Sequence, residues 1–151
     1  EVIAETEQIS ESASVDFGSK EAAKRGAQAV LRLPIDLPLL TTEDIETILA
    51  NDQPGDLPKQ SVVIVPSRDG TGTNAILRRP PVLFLSHSGT GSLAKHLREA
   101  EAANAACKVV ELPRIALDID EPDDLVELLK HPQDSPVCEL LKELKIEERL
   151  K

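Results

Sequence analysis

Apolar and polar positions alternate along this chain in two rhythms. Short β-branched runs with few polar breaks mark buried strands. Ser61-Val62-Val63-Ile64-Val65-Pro66 is the strongest of them. Residues 30–35 form a second run, closed by Asp36, and residues 75–77 a third. Shorter strands are expected at 2–4, 108–110 and 115–117, and the apolar run 82–85 fits no single element. Elsewhere apolar residues recur every three or four positions, the helical period. Ile45, Ile48 and Leu49 share one face behind Thr41 and Asp44, which resemble a capping box. Leu93, Leu97 and Ala100 share another within 92–106. Two helices open with Pro122 and Pro136 and carry Leu at helical spacing to about 130 and 148. Residues 20–25 have helical composition, and Gly26 suits the stop. Residues 5–14 are polar, either a loop or the beginning of that helix. Loops rich in Pro or Gly fall at 51–60 and 67–74. Strands alternating with helices predict an α/β fold with a mostly parallel sheet. Ligands in such folds bind beyond the C-terminal ends of the strands.

Composition narrows the class. A chain of 151 residues is expected to form one domain with a real core. Phe17 and Phe84 are its only aromatics, so that core rests on Leu, Ile, Val and Ala. A formal net charge of −10 argues against nucleic acid or an anionic membrane as partner, because both need a basic surface. Cys107 and Cys138 lie far apart and read as reduced thiols of a cytoplasmic protein. His87, His96 and His131 have no zinc-ligand spacing. No apolar run approaches the ~20 residues that span a membrane.

The chemistry concentrates in acids at predicted strand ends. Ala116-Leu117-Asp118-Ile119-Asp120-Glu121-Pro122 places two aspartates at i, i+2, on one face of an extended segment. Asp36 occupies a matching position after residues 30–35. Together they form a seat for a hard cation such as Mg²⁺ if their strands are neighbours. The plain alternative makes Asp120 the N-cap of the helix at Pro122. It explains neither Asp118 nor Asp36, since Thr41 or Thr42 already caps the next helix. Glu121, Asp123 and Asp124 read as first-turn acids that suit the helix dipole. Two small-residue loops complete the picture. Arg68-Asp69-Gly70-Thr71-Gly72-Thr73-Asn74 can offer N–H groups and hydroxyls to a phosphate, or serve only as a turn. Gly89-Thr90-Gly91-Ser92 leads into a helix, where it is either an anion site or a simple cap by Ser92. His96 lies one turn beyond Ser92 on the same face. Arg68, Arg78 and Arg79 are available to phosphate but equally suit a solvated surface.

Leu33-Pro34-Ile35-Asp36-Leu37-Pro38-Leu39-Leu40, the 69–74 loop, the 89–92 loop with His96, and residues 117–125 follow one another in order. This series resembles the 2-phospho-L-lactate guanylyltransferase family, including its phosphoenolpyruvate-using members, across residues 30–129. The resemblance implies a Rossmann-like nucleotidyltransferase fold. It implies Mg²⁺ on Asp36, Asp118 and Asp120, and a phosphorylated acid held by Thr73, Gly89 and Ser92. It implies GTP as the other substrate, 2-phospho-L-lactate or phosphoenolpyruvate as acceptor, a role in deazaflavin coenzyme synthesis, and room for a homodimer. Ser88 departs from the Phe usual in that family and leaves the loop's packing open. The family begins with a strand and a basic Gly-rich nucleotide loop. This chain begins at Glu1 and contains no Met, so an N-terminal βα unit is expected to be missing from it. Two other readings stand beside this one. One is nucleotidyl transfer to a sugar phosphate or the molybdenum cofactor, and the other a binding module that kept the fold and lost the chemistry.

Overall fold

A computed structural model describes residues 2–5, 7–53, 59–131 and 136–149. The elements run α1 (Glu11–Lys24), β1 (Val30–Arg32), α2 (Thr42–Ala50), β2 (Ser61–Pro66), β3 (Thr73–Arg79) and α3 (Ser92–Ala102). They continue with β4 (Ala106–Val109), α4 (Pro113–Ala116), α5 (Pro122–Leu129), α6 (Pro136–Glu143) and α7 (Ile146–Arg149). The four strands form one sheet in the order β1-β3-β2-β4. β3 runs antiparallel to both β1 and β2, and only β2 and β4 pair in parallel.

The sheet is therefore mixed, which corrects the mostly parallel expectation. Its cause is the short 67–72 link between β2 and β3. A parallel return needs a crossover of a dozen residues or more, and six allow only a hairpin. The reversal leaves the functional edge in place. β1, β2 and β4 share one direction, and the start of β3 lies beside the end of β2, with Pro66 opposite Thr73. Asp36, the hairpin and Thr73 thus collect at one end of the sheet.

Other predicted strands shorten or vanish. The 30–35 run stops at Arg32, because Pro34 cannot donate to a ladder, and Ile35 is fully exposed. Residues 115–117 fall mostly in α4, which Pro113 opens at its first turn. β4 begins two residues before the expected 108–110 strand, and 2–4 join no strand. Residues 82–85 form a loop whose Leu83 and Phe84 pack on the core. The 51–60 loop lies partly outside the described residues.

β2 is buried on both faces. Val63 and Val65 join Ile48 of α2 and Ile115 of α4 on one side, while Val62 and Ile64 meet Ala100 of α3 on the other. Leu39 and Leu117 pack with Leu128, Cys138 and Leu141 of the C-terminal helices. A buried arginine fastens α1 to the sheet. Arg78 of β3 donates to Ser19 Oγ at 3.0 Å and to the Phe84 carbonyl at 2.6 Å, with Asp16 3.6 Å away. Asp44 accepts from the Thr41 N–H, as the predicted capping pair requires, and also from Thr41 Oγ1 and from Arg114 of α4. No described helix is long and apolar enough to cross a membrane.

Candidate functional site

All six residues singled out from the sequence, Asp36, Asp118, Asp120, Thr73, Gly89 and Ser92, line one cleft of about 600 Å³. The acids meet by a route the strand pattern did not predict. Residues 117–120 belong to no strand of the sheet, although Leu117 is extended. The Ile119 N–H instead donates to the Asp36 carbonyl at 3.2 Å, which draws the Asp118–Asp120 segment against the end of β1. Asp36 Oδ1 is buried and has no hydrogen-bond partner. The Asp118 carboxylate raises the Asp120 pKa above its ordinary value, with some desolvation and Asp36 adding to it. These charges therefore sense one another. Among the described residues, no three His, Cys, Asp or Glu side chains are gathered tightly enough to hold a metal by themselves.

Asp120 does not cap α5. Glu121 occupies the N-cap position. Asp124, expected to be a plain first-turn acid, is buried and accepts from the N–H groups of Asp120 at 3.1 Å and Glu121 at 2.9 Å. Arg68 reaches its other oxygen at 2.6 Å. Burial alone would raise the Asp124 pKa, but these bonds outweigh it and hold the group ionised below its ordinary value. Asp124 thus holds the backbone of the acid segment, and it leaves the Asp120 carboxylate free for the cleft.

The small-residue loops are tightly braced. Asp69 accepts from Ser67 Oγ at 2.6 Å, Thr71 N–H at 2.9 Å and Thr71 Oγ1 at 2.7 Å, which together hold its pKa far below the carboxylate range. Gly72 N–H donates to Ser67 Oγ at 2.7 Å, and a Cβ at Gly72 would lie 2.8 Å from that oxygen. Asn74 donates to the Ile115 and Ala116 carbonyls, tying the hairpin to α4. Gly89 and Gly91 adopt φ of 73° and 79°, open to glycine at little cost. Gly91 is the N-cap of α3, so Ser92 is the first helical residue rather than the cap. Ser92 is buried, and its N–H donates to the Gly89 carbonyl at 3.1 Å. Ser88 Oγ lies 3.0 Å from Ser12 Oγ of α1, so a hydroxyl pair anchors the loop to that helix.

The sequence reading missed one contributor, Arg32, and singled out another, His96, without giving it a role. Arg32 lines the cleft, donates to the Thr73 carbonyl at 3.2 Å and pairs with Glu11. Its signal was a lone cation inside an apolar strand. His96 meets Thr73 Oγ1 at 3.0 Å. Of the arginines considered from sequence, Arg68 lines the cleft, Arg78 is structural, and Arg79 pairs with Asp52. Among the described residues, seven acidic side chains and two arginines line the cleft, and both arginines are ion-paired with cleft acids. Such a cleft repels an anionic substrate until further positive charge enters.

The family described as "Guanylyl transferase CofC like" matches residues 2–151. The chain is 41% identical over 108 residues to the phosphoenolpyruvate guanylyltransferase of Conexibacter woesei, covering 72% of this chain and 47% of that protein. It is 35% identical over 145 residues to the 3-phospho-D-glycerate guanylyltransferase of Phenylobacterium zucineum, covering 95% and 64%. It is 40% identical over 111 residues to the 2-phospho-L-lactate guanylyltransferase of Methanoregula boonei, covering 74% and 48%. The chain spans about half the length of the curated relatives it matches. Because the family's model matches nearly the whole of this chain, the chain belongs to the CofC-like guanylyl transferase family.

Proposed function

We propose that this protein joins GMP from GTP to the phosphate of a small phosphorylated acid and releases pyrophosphate. The supporting observation is one cleft, in a guanylyl transferase family member, lined by three aspartates on one wall and by Thr73, Gly89 and Ser92 on another. The relatives' names support phosphoenolpyruvate, 2-phospho-L-lactate or 3-phospho-D-glycerate as the acceptor. The last of these lies outside the acceptors inferred from sequence. With either of the first two, the product serves deazaflavin coenzyme synthesis.

The acid wall suits Mg²⁺. The orphaned Asp36 Oδ1 and the mutual repulsion of Asp118 and Asp120 are both features that a cation relieves. Mg²⁺ is commonly held by one or two carboxylates, with substrate phosphates and water completing its octahedron, so a closed protein cage is not required. Asp36, Asp118 and Asp120 would hold it, and it supplies the positive charge that transferring phosphates need. Thr73, Gly89 and Ser92 hold the acceptor's phosphate. An oxygen of that phosphate, already ionised at neutral pH, attacks the α-phosphorus of GTP. The bond from that phosphorus to the β-phosphate oxygen breaks, and pyrophosphate leaves with the electron pair. No general base is needed, and the cleft works by positioning and charge.

The test offers the intact protein GTP, Mg²⁺ and each of the three acids in turn. Pyrophosphate release with a guanylylated acid, seen by mass spectrometry, is the expected result. Absence of product with all three would overturn the reading. Turnover of a sugar phosphate in their place would keep nucleotidyl transfer but remove the acid acceptor.

A further inference from the structure

His96 sits buried on α3 with both ring nitrogens engaged. Nε2 lies 3.0 Å from the His87 backbone N–H, and Nδ1 lies 3.0 Å from Thr73 Oγ1. A peptide N–H can only donate, so Nε2 must be the bare, accepting nitrogen. A neutral imidazole then carries its proton on Nδ1. That Nδ1–H donates to Thr73 Oγ1, so the Thr73 hydroxyl must turn its own hydrogen to another acceptor. Thr73 lines the cleft, and Arg32 clamps its carbonyl, so the backbone beneath the hydroxyl is held as well.

We propose that His96, locked as the Nδ1–H tautomer by the His87 peptide, is a positioning residue that presents the Thr73 hydroxyl as a hydrogen-bond donor to the acceptor's phosphate. The proposal rests on the reading of Thr73 as an acceptor-binding residue. A phosphate dianion only accepts, whereas a neutral hydroxyl both donates and accepts. A fixed donor therefore selects for the anion and does not have to reorient when it binds. The same ring ties the 87–89 loop to β3, so Thr73 and Gly89 are positioned from one point. The surroundings keep the ring neutral. Burial, then His87, Arg78 and Arg32, push the His96 pKa down to about 4 against an opposing pull from Asp16.

Nitrogen-15 NMR of the intact protein tests the tautomer directly. The expected spectrum shows protonated Nδ1 and bare Nε2 at neutral pH, and the opposite tautomer or a charged ring would overturn the proposal. Kinetics test the role. Thr73→Val should raise KM for the acceptor by roughly tenfold and leave KM for GTP unchanged, the loss of one bond to a charged group. His96→Leu should raise the same KM by roughly fivefold, and His96→Asn, whose amide offers a donor near Nδ1, should recover most of it. In the Thr73→Val background, His96→Leu should add less than about twofold, because the group it positions is gone. Fully additive effects would mean a merely structural histidine and would sink the proposal while leaving Thr73 in place. A Thr73→Val protein with normal acceptor KM would remove the reading of Thr73 and the proposal with it. If His96→Leu fails to fold, the spectrum and His96→Asn still decide.

Discussion

On the wall formed by the 67–73 hairpin and α3, the polar groups are tied to one another: Asp69 to Ser67 and Thr71, Ser67 to Gly72, Thr73 to His96, and His96 to the His87 peptide. On the acid wall, Asp36 Oδ1 is buried without a partner, and Asp118 pushes Asp120 toward its protonated form. The backbone there is nonetheless held firmly, by Ile119 on Asp36 and by Asp124 on residues 120 and 121. One wall is preorganised in both shape and charge. The other is preorganised in shape only, and its carboxylates repel one another. Opposing substitutions can separate the two designs.

The largest effect should come from Asp118→Asn. With transition-state charge stabilisation lost, turnover should fall by roughly a thousandfold. Folding stability should hold or rise, because one of the repelling charges is gone. Melting with and without Mg²⁺ plus GTP checks it: the parent should shift and the variant should not. A large fall in Tm would mean that Asp118 supports the fold, and the contrast between the walls would fail.

Asp124→Ala attacks the scaffold rather than the chemistry. It leaves the Asp120 and Glu121 N–H groups and Arg68 without their acceptor, at a cost of about 1–3 kcal/mol. Chemical denaturation should register that loss. Mg²⁺ titration should show weaker binding as the 118–120 segment loosens.

These two predictions rest on distinctions that the sequence showed only in part. Asp118 and Asp124 look alike in a chain of acids. The i, i+2 spacing marks Asp118 and Asp120, whereas Asp124 holds the backbone of residues 120 and 121 through local bonds, to which Arg68 adds one from 56 positions away. The mixed sheet was legible in principle, since a link of six residues cannot cross over. The convergence of Asp36 with Asp118 was expected through neighbouring strands, and it arises instead from one Ile119–Asp36 backbone bond.

Gly72→Ala probes the braced wall on a smaller scale. The new methyl would meet Ser67 Oγ at 2.8 Å, and Ser67 is held by both Asp69 and Gly72. A loss of about 1 kcal/mol is expected, with acceptor KM raised more than GTP KM. Equal effects on both substrates would show that the hairpin does not belong to the acceptor's wall.

The smallest effect concerns pH. Asp69 and Asp124 have lowered pKa values, so their contribution to stability is present above the ordinary carboxylate range and is lost as pH falls through their folded values. Asp120 has a raised pKa, so its contribution runs the other way: it is present at low pH and lost as pH rises through its folded value. Asp120→Asn should therefore leave acid denaturation nearly unchanged while raising stability slightly near neutrality. Denaturation midpoints at pH 4 and 7 would measure both.

Local chemistry was enough to single out Asp36, Asp118 and Asp120, the capping pair Thr41 and Asp44, and most of the helix positions, whereas Thr73, Gly89 and Ser92 came from the family resemblance. Glycine at positive φ, proline at a first turn and apolar periodicity act within a few residues, so they can be read along the chain. The direction of β3, the path of residues 117–120, the latch of Arg68 on Asp124 and the tautomer of His96 were decided by the tertiary structure. Each depends on which distant donor or acceptor arrives beside a group. Thr73 and His96 are 23 positions apart, and Asn74 and Ile115 are 41. A hydrogen bond fixes a proton only once folding has brought its two ends within about 3 Å.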